Sequence, residues 1–331
     1  MPVGGADRVE WDILLRILPT VVVDGFVLGF VYAMIALGYT MVYGVLQMIN
    51  FAHSEIFVMG AFVGAETLLI LQASGLLTVL HPLALLAVVL VLAMAGSGLL
   101  AVAVERVAYR PLRGAPRLIP LISAIGVSFF LQDAIRLFES LWRNAFFLTY
   151  PTIDLFDRRI PLVGEVEISV KSLLIIVASL LMLVVLTLFV NRTKLGMAIR
   201  AVAEDQPTAG LMGVNVGRII SLTFLIGGAM GGAAGALFGV QFGTINPYSG
   251  FIPGLKAFTA AVLGGIGNVP GAMVGGLVLG MLEAFAASYM SLLTGGAFGA
   301  EYKDIFAFSV LIVILMFRPQ GLLGEVVREK L

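Results

Sequence analysis

Residues 25–64 read GFVLGFVYAMIALGYTMVYGVLQMINFAHSEIFVMGAFVG. Between Asp24 and Glu55 the chain holds no formal charge, and a short polar break near Asn50 separates two apolar runs. A helix needs about 20 apolar residues to cross about 30 Å of hydrocarbon. The interval therefore holds one membrane span with room for a re-entrant piece, which predicts a membrane-embedded helix followed by an interruption.

The composition of the whole chain agrees with this pattern. Of its 331 residues, 60% are hydrophobic and 12% are charged, whereas soluble domains average about 45–50% apolar and about 25% charged residues. Lys plus Arg equals Asp plus Glu at 20 each, cysteine is absent, and only two histidines occur. These values exclude a soluble enzyme, a nucleic-acid-binding protein and a disordered scaffold. They predict an all-α polytopic membrane protein.

Further charge-free intervals give the number of spans. These charge-free intervals, together with the apolar segments Leu118–Phe138 and Ile305–Phe317, predict about eight to ten transmembrane helices. We expect them to form one domain over residues 1–331. The intervals lie between Asp24 and Glu55, Glu66 and Glu105, Lys171 and Arg192, Arg218 and Lys256, and Lys256 and Glu283.

Basic residues in the connecting segments predict the orientation. Residues 105–117, residues 191–218 and the tail with Arg318, Arg328 and Lys330 are rich in Lys or Arg. The positive-inside rule assigns such segments, and with them the C-terminus, to the cytoplasm. Residues 139–171 carry five acids and four bases, without an excess of Lys or Arg, and we expect them to form an external loop with strand-like alternation at 165–170.

Glycine is unusually frequent, with 39 residues. Many glycines follow small-xxx-small spacing, which permits close contact between helices in lipid. We expect tight packing within one bundle, and a dimer seam is the alternative. The spaced glycines are Gly25/Gly29, Gly60/Gly64, Gly227/Gly231/Gly235/Gly239, Gly271/Gly275 and Gly276/Gly280.

Two polar interruptions suggest an internal repeat. Residues 49–54 (INFAHS) and 245–250 (INPYSG) each precede an apolar run, one in either half of the chain. Paired interruptions are typical of transporters built from inverted repeats, in which they lie near the substrate path. An inverted repeat is the prediction, and chance similarity over six residues is the alternative.

Few residues offer chemistry. The chain lacks G-x-x-x-x-G-K-[ST], G-x-S-x-G and H-E-x-x-H, so we expect no catalytic residues, no metal site and no ATP hydrolysis by this route. Glu66 and Glu283 are the acids with the longest apolar flanks, and either is a candidate for binding a coupling ion. Polar residues at the breaks are candidates for the substrate path, or else only cap helix ends. They are Asn50, His53, Ser54, Glu55, Asn246, Tyr248 and Ser249.

The segment 191–218 is the most informative hydrophilic part. Residues 193–203 and 207–212 read as short helices. Two short helices held between two membrane spans are suited to form a rigid element that another protein binds. A solvated connector is the alternative.

Four stretches resemble the permease subunits of high-affinity branched-chain amino-acid ABC importers, and most closely the first of their two permease types. These stretches occur in the family's order, and the similarity covers nearly the whole chain. They are Gly25–Gly64, Arg200–Val216 (RAVAEDQPTAGLMGVNV), Ala261–Gly280 (AVLGGIGNVPGAMVGGLVLG) and Phe317–Leu323 (FRPQGLL).

The resemblance implies an ABC importer permease fold in the inner membrane. It implies as partners a related second permease, two cytoplasmic ATPases that use ATP and magnesium, and a periplasmic binding protein. This chain itself would bind no cofactor. The loop would couple to the ATPases, although it reads AED where relatives of its kind carry EAA. Its coupling residues would be Arg200, Ala203, Glu204, Asp205, Ala209 and Gly213.

The resemblance leaves the ligand open, because related permeases carry urea, short amides or other amino acids. Three other functions remain open from the residues alone: an ion-coupled secondary carrier, a channel and an assembly scaffold. A homodimer also remains an alternative to pairing with a related permease.

Overall fold

The structure, a computed structural model, describes residues 11–116, 118–163 and 166–324. Helices form most of this part of the chain. They are α1 (Trp11–Leu46), α2 (His53–Ala73), α3 (Leu76–Val79), α4 (Pro82–Val104), α5 (Leu118–Arg143), α6 (Asp154–Asp157), α7 (Val170–Arg192), α8 (Lys194–Glu204), α9 (Gln206–Leu211), α10 (Val216–Phe242), α11 (Phe251–Gly264), α12 (Val269–Leu293) and α13 (Lys303–Phe317).

Seven of these helices are long and apolar enough to cross a membrane, namely α1, α2, α4, α5, α7, α10 and α12. The apolar helix α11 has 14 residues and α13 has 15, so each is shorter than a full span. The described residues thus hold seven candidate spans and two shorter apolar helices, against the predicted eight to ten spans. A polytopic helical membrane protein is therefore confirmed.

The packing of the helices repeats between the two halves of the chain. Helix α1 packs along α12, and its counterpart α10 packs along α4. Likewise α2 packs along α10, while α11 packs along α1. Helices α1 and α10 run in opposite directions, because Gly38 lies against Gly227 while Leu46 and Ile220 line one cavity. This exchange of partners supports the predicted inverted repeat, with α7 joining the halves.

One end of the bundle, here called the basic face, gathers the Arg-rich segments. Arg113 of the α4–α5 connection lies near Gly217, and the Gln206 side chain donates to the carbonyl of Val45 over 3.2 Å. The tail joins them, because the amide of Leu322 donates to the Leu263 carbonyl over 2.8 Å. The predicted basic residues Arg117, Arg328 and Lys330 lie outside the described residues.

The opposite end, here called the far face, carries the connection between α5 and α7. Because α5 continues to Arg143 and α7 begins at Val170, this connection is shorter at both ends than the predicted 139–171. The connection contains three short strands: β1 (Leu148–Thr149), β2 (Arg159–Val163) and β3 (Val166–Ser169). A fourth strand, β4 (Thr244–Ile245), lies in the segment before α11. Strand β3 lies within the predicted alternation at 165–170, but Val170 is the first residue of α7. Glu165 lies outside the described residues.

These strands tie the connection to the bundle. Strand β1 pairs antiparallel with β4, and β2 pairs with β3. Just after β1, the buried Tyr150 hydroxyl donates to the Ala61 carbonyl over 2.5 Å. Its ring packs on Gly64 and Gly239, so the connection is anchored between α2 and α10.

The spaced glycines lie at helix crossings, as predicted for packing within one bundle. A Cβ atom on Gly280 of α12 would overlap the backbone of Gly29 in α1, and one on Gly60 of α2 would overlap Gly232 in α10. Backbones this close gain van der Waals contact that larger side chains would prevent.

Substitution of Gly235 tests this packing. A side chain there would overlap the carbonyl oxygen of Phe57, so Gly235→Leu is expected to destabilise the bundle by about 1–3 kcal/mol or more through overpacking. The control is Gly126→Leu, because an added Cβ at Gly126 meets no described atom within 4 Å. Melting temperatures in detergent check this, and equal losses in both variants would contradict it.

Candidate functional site

The two predicted interruptions meet inside the bundle. Residues 47–52 lead from α1 into α2 without helical structure, and residues 243–250 lead from α10 into α11. Gly250 and Gly254 at the start of α11 lie directly against Ser54 at the start of α2. The His53 ring lies against Gly38, about two turns before the end of α1, and against Gly231 in the middle of α10. Both helices therefore begin at the centre of the protein, at a place we call the central break.

The α2 side of the central break is polar and buried. Asn50, His53, Ser54 and Glu55 are each at most 5% exposed. The Asn50 Oδ1 atom accepts a hydrogen bond from the Tyr109 hydroxyl over 2.6 Å. Long-range contacts therefore hold the non-helical segment in place, as is required of irregular backbone at membrane depth.

The Glu55 carboxylate links α2 to α5. Its Oε1 atom accepts hydrogen bonds from the Gln132 amide over 2.8 Å and from the Ser128 hydroxyl over 3.1 Å. Ser54 lies 3.1 Å from the same oxygen. All donors therefore converge on one of the two carboxylate oxygens.

Several polar atoms at the central break have no hydrogen-bond partner among the described residues. They are the Asn50 Nδ2 atom, both ring nitrogens of His53 and the Glu55 Oε2 atom. A buried polar group without a partner costs about 1–3 kcal/mol. This concentration of unused donors and acceptors within six residues is what a site for a polar ligand or ordered water requires.

The α11 side uses its polar residues differently. The Asn246 side chain accepts from the Tyr248 amide over 2.8 Å, and the Ser249 hydroxyl accepts from the Asn246 amide over 2.9 Å. Tyr248 is 41% exposed, and its hydroxyl lies 3.4 Å from Arg136. These three residues therefore shape the turn before α11. The other four of the seven predicted path residues, those on the α2 side, form the buried cluster.

Both acids proposed as coupling-ion sites carry basic partners. Glu66 forms an ion pair with Arg143 of α5. Glu283 accepts from Lys256 over 2.8 Å, from Lys303 over 2.9 Å and from the Tyr32 hydroxyl over 2.7 Å. Carboxylates held by fixed bases are poorly placed to bind a transported cation, which speaks against the secondary carrier.

The pair α8–α9, here called the coupling module after the role predicted for it, lies on the basic face. The helices agree with those predicted to within one residue at each end. Asp205 caps α9, because its carboxylate accepts from the Thr208 amide over 3.1 Å and the Thr208 hydroxyl over 2.6 Å. Ala209 is buried, and Gly213 ends the module at φ +85°, a conformation that favours glycine.

The other predicted coupling residues lie on the surface of the module. Arg200 and Glu204 are exposed and Ala203 is half-buried. Sequence reasoning missed the most prominent feature, which is an apolar tip formed by Leu211 and Met212, 88% and 81% exposed. Their position just before the glycine turn was the available signal.

Comparison with known proteins places these features in a family. The profile of the family described as "Branched-chain amino acid transport system / permease component" matches residues 21–315. The chain belongs to this family. Membership agrees with the polytopic fold and identifies the protein as a transport permease.

Individual relatives in this permease family are similar over nearly the full length. The high-affinity branched-chain amino acid transport system permease protein BraD of Pseudomonas aeruginosa is 47% identical over 312 residues, which are 93% of this chain and 96% of the relative. LivH of Escherichia coli, with the same descriptive name, is 44% identical over 93% of this chain and 96% of its own. LivM of Escherichia coli is 32% identical over 43% of this chain and 32% of its own. No solved structure matches the chain.

Proposed function

We propose that this chain forms the translocation path for leucine, isoleucine and valine in an ATP-driven importer. The observation that carries the proposal is its 47% identity to a high-affinity branched-chain amino acid permease over 93% of its length. The buried central break adds a site with unused donors and acceptors in an otherwise apolar bundle. A zwitterion with an apolar side chain suits such surroundings.

The partners follow from the same proposal. The similarity to LivM over 43% of the chain supports pairing with a related second permease. Two ATPase subunits would drive the assembly, the coupling module would dock in a groove of one of them, and a binding protein would deliver substrate at the far face. This chain would be non-catalytic and bind no cofactor, since the partners would use ATP and magnesium.

The same reasoning gives the orientation. The basic face would lie in the cytoplasm, in accord with the positive-inside rule. The C-terminus would then be cytoplasmic and the membrane would be the inner membrane. Residues 144–169 would be exposed outside, where a binding protein docks.

Reconstitution tests this function. Proteoliposomes holding this chain alone, or with its ATPases, second permease and binding protein, are supplied with radiolabelled leucine, and urea, alanine and glutamate compete. ATP-dependent leucine uptake by the full assembly only is the expected result. Uptake by this chain alone under an ion gradient would establish a secondary carrier instead, and competition by urea would indicate an amide permease.

Asn50 and Asn246 provide a matched pair of variants within this assay. Asn50→Ala is expected to slow leucine uptake by about tenfold. It removes the unused Nδ2 donor and the hydrogen bond that Oδ1 accepts from Tyr109, and their combined loss costs about 1.4 kcal/mol or more. Asn246→Ala removes only an acceptor of a turn and is expected to slow uptake less. Normal uptake by Asn50→Ala at unchanged expression would contradict a role in the path.

A further inference from the structure

Helix α5 touches the rest of the protein along a single stripe. Its other faces carry exposed apolar side chains, such as Phe130 at 70% exposure. Within the stripe, Ser128, Gln132 and Glu139 are polar although they are at most 5% exposed. The contact of this stripe with α2, here called the α2–α5 seam, is therefore polar between two apolar helices.

Acidic groups dominate the α2–α5 seam. Glu55 and Glu66 of α2 and Glu139 of α5 supply three carboxyl groups, and Arg143 at the end of α5 supplies a guanidinium group that pairs with Glu66. Neither Glu55 Oε2 nor Glu139 Oε2 has a hydrogen-bond partner among the described residues. Unpaired ionisable groups at membrane depth are costly and indicate a functional site, and here their sign favours a cation.

An apolar cavity of about 520 Å³ adjoins these groups in the seam. Its size falls within the range of about 300–1,000 Å³ typical of small-molecule pockets. Met59 lines it one helical turn after Glu55, about 6 Å along the axis, and Leu131 lines it next to Gln132. Towards the far face its lining continues past Glu66 to Ile70 of α2 and Trp142 of α5. The apolar walls thus begin one helical turn beyond Glu55 and extend towards the far face.

We propose that the α2–α5 seam binds a primary ammonium group attached to a branched aliphatic chain. The Glu55 Oε2 atom accepts the ammonium hydrogen, and the cavity holds the aliphatic chain. This rests on the proposed function and deepens it, because it names the residue that recognises the charged amine of the substrate. A lipid acyl chain would also fit the apolar walls, but it would leave the Glu55 oxygen without a partner.

Labelling of a single cysteine tests the site without relying on transport. The chain has no cysteine of its own, so Met59→Cys places one thiol in the cavity, and Phe130→Cys on the outer side of α5 is the control. Cationic and anionic methanethiosulfonates of similar size are applied to the full assembly. The cationic reagent is expected to label Met59→Cys at least about fivefold faster because Glu55 lies one turn away.

Two further arms of the labelling experiment address the ligand. Leucine-loaded binding protein is expected to slow the labelling of Met59→Cys and to leave Phe130→Cys unchanged. Adding Glu55→Gln is expected to abolish the preference for the cationic reagent. Equal rates for both reagents would overturn the proposal. The proposal would also be overturned if only a membrane-permeant maleimide labelled Met59→Cys and leucine did not slow that labelling. Such a result would mean that lipid fills the seam.

Uptake separates this inference from the proposed function. Glu55→Gln is expected to lower leucine uptake about tenfold or more while ATP hydrolysis stimulated by the binding protein is retained. Wild-type uptake by Glu55→Gln would overturn the site and leave the importer intact. Failure of the importer itself would appear as no ATP-dependent uptake by the unsubstituted assembly. If Glu55→Gln does not fold, the labelling of Met59→Cys with Glu55 present still decides the question.

Discussion

Glu283→Leu is expected to lower the stability of the protein by about 3 kcal/mol, because it removes the carboxylate on which two lysines and a tyrosine converge. The buried Lys256 then keeps only the partly exposed Asp304 as a partner, and breaking a buried ionic network by removing one member is strongly destabilising. Lys256 is 5% exposed and Glu283 is 2% exposed. Their side chains meet at 2.8 Å, and Lys256 also reaches Asp304 at 2.7 Å. The network joins α1 through Tyr32 and includes Lys303 of α13, so its loss frees the short helices α11 and α13 together.

Two variants make this prediction specific. The double variant Lys256→Met with Glu283→Leu is expected to recover part of the loss, since apolar replacement of a whole buried pair is often neutral or stabilising. Glu66→Leu is the control for a partly exposed pair, whose loss costs about 1 kcal/mol or less. Thermal unfolding in detergent gives the comparison. A loss for Glu283→Leu no larger than for Glu66→Leu would contradict a stabilising role for the network.

The local pattern of the sequence predicted the interruptions but not how they are used. The breaks near Asn50 and Asn246 are visible because polar residues interrupt apolar runs. Their meeting at Ser54 and Gly254 depends on the opposite directions of α1 and α10, which a six-residue similarity does not encode. Asn50 is buried and bonded to a distant residue, whereas Asn246 lies in a turn. This difference likewise depends on tertiary neighbours.

Long-range polar partners explain what the sequence analysis missed. Tyr109 lies 59 positions from Asn50, and Gln132 lies 77 positions from Glu55. Tyr109 lies in the connection after α4 and Gln132 lies in α5, and spacing along the chain gives no reason to pair either residue with a distant break. Lys256 stands out in the sequence only as the boundary of two charge-free intervals, and its partners Glu283 and Asp304 come from two other helices.

The coupling module was predictable for a different reason. Its helices are short, amphipathic and bounded by residues with local roles, such as Thr193, which caps α8 by accepting from the Gly196 amide over 2.9 Å. Capping acts over three or four residues and can be read from sequence. The exposed tip at Leu211 was harder to predict, because exposure depends on how the module stands on the bundle.

That tip carries the second large effect. Leu211→Asp combined with Met212→Asp is expected to abolish ATP-dependent uptake and the retention of ATPase subunits on the purified permease. Burying such a side chain contributes about 1.5–3 kcal/mol, so losing two corresponds to about a hundredfold weaker binding. Both side chains are more than 80% exposed, and their replacement leaves the fold of this chain intact.

Val79→Asp is the matched control, because Val79 is 77% exposed in α3, the short connection between α2 and α4. It introduces one aspartate of the same kind away from the coupling module and is expected to leave ATPase retention unchanged. The module is joined to α1 through the hydrogen bond from Gln206 to the Val45 carbonyl, and α1 leads directly into the central break. ATPases that bind the tip would therefore act on the segment that holds Asn50. Full ATPase retention by the double variant would instead place their docking surface elsewhere.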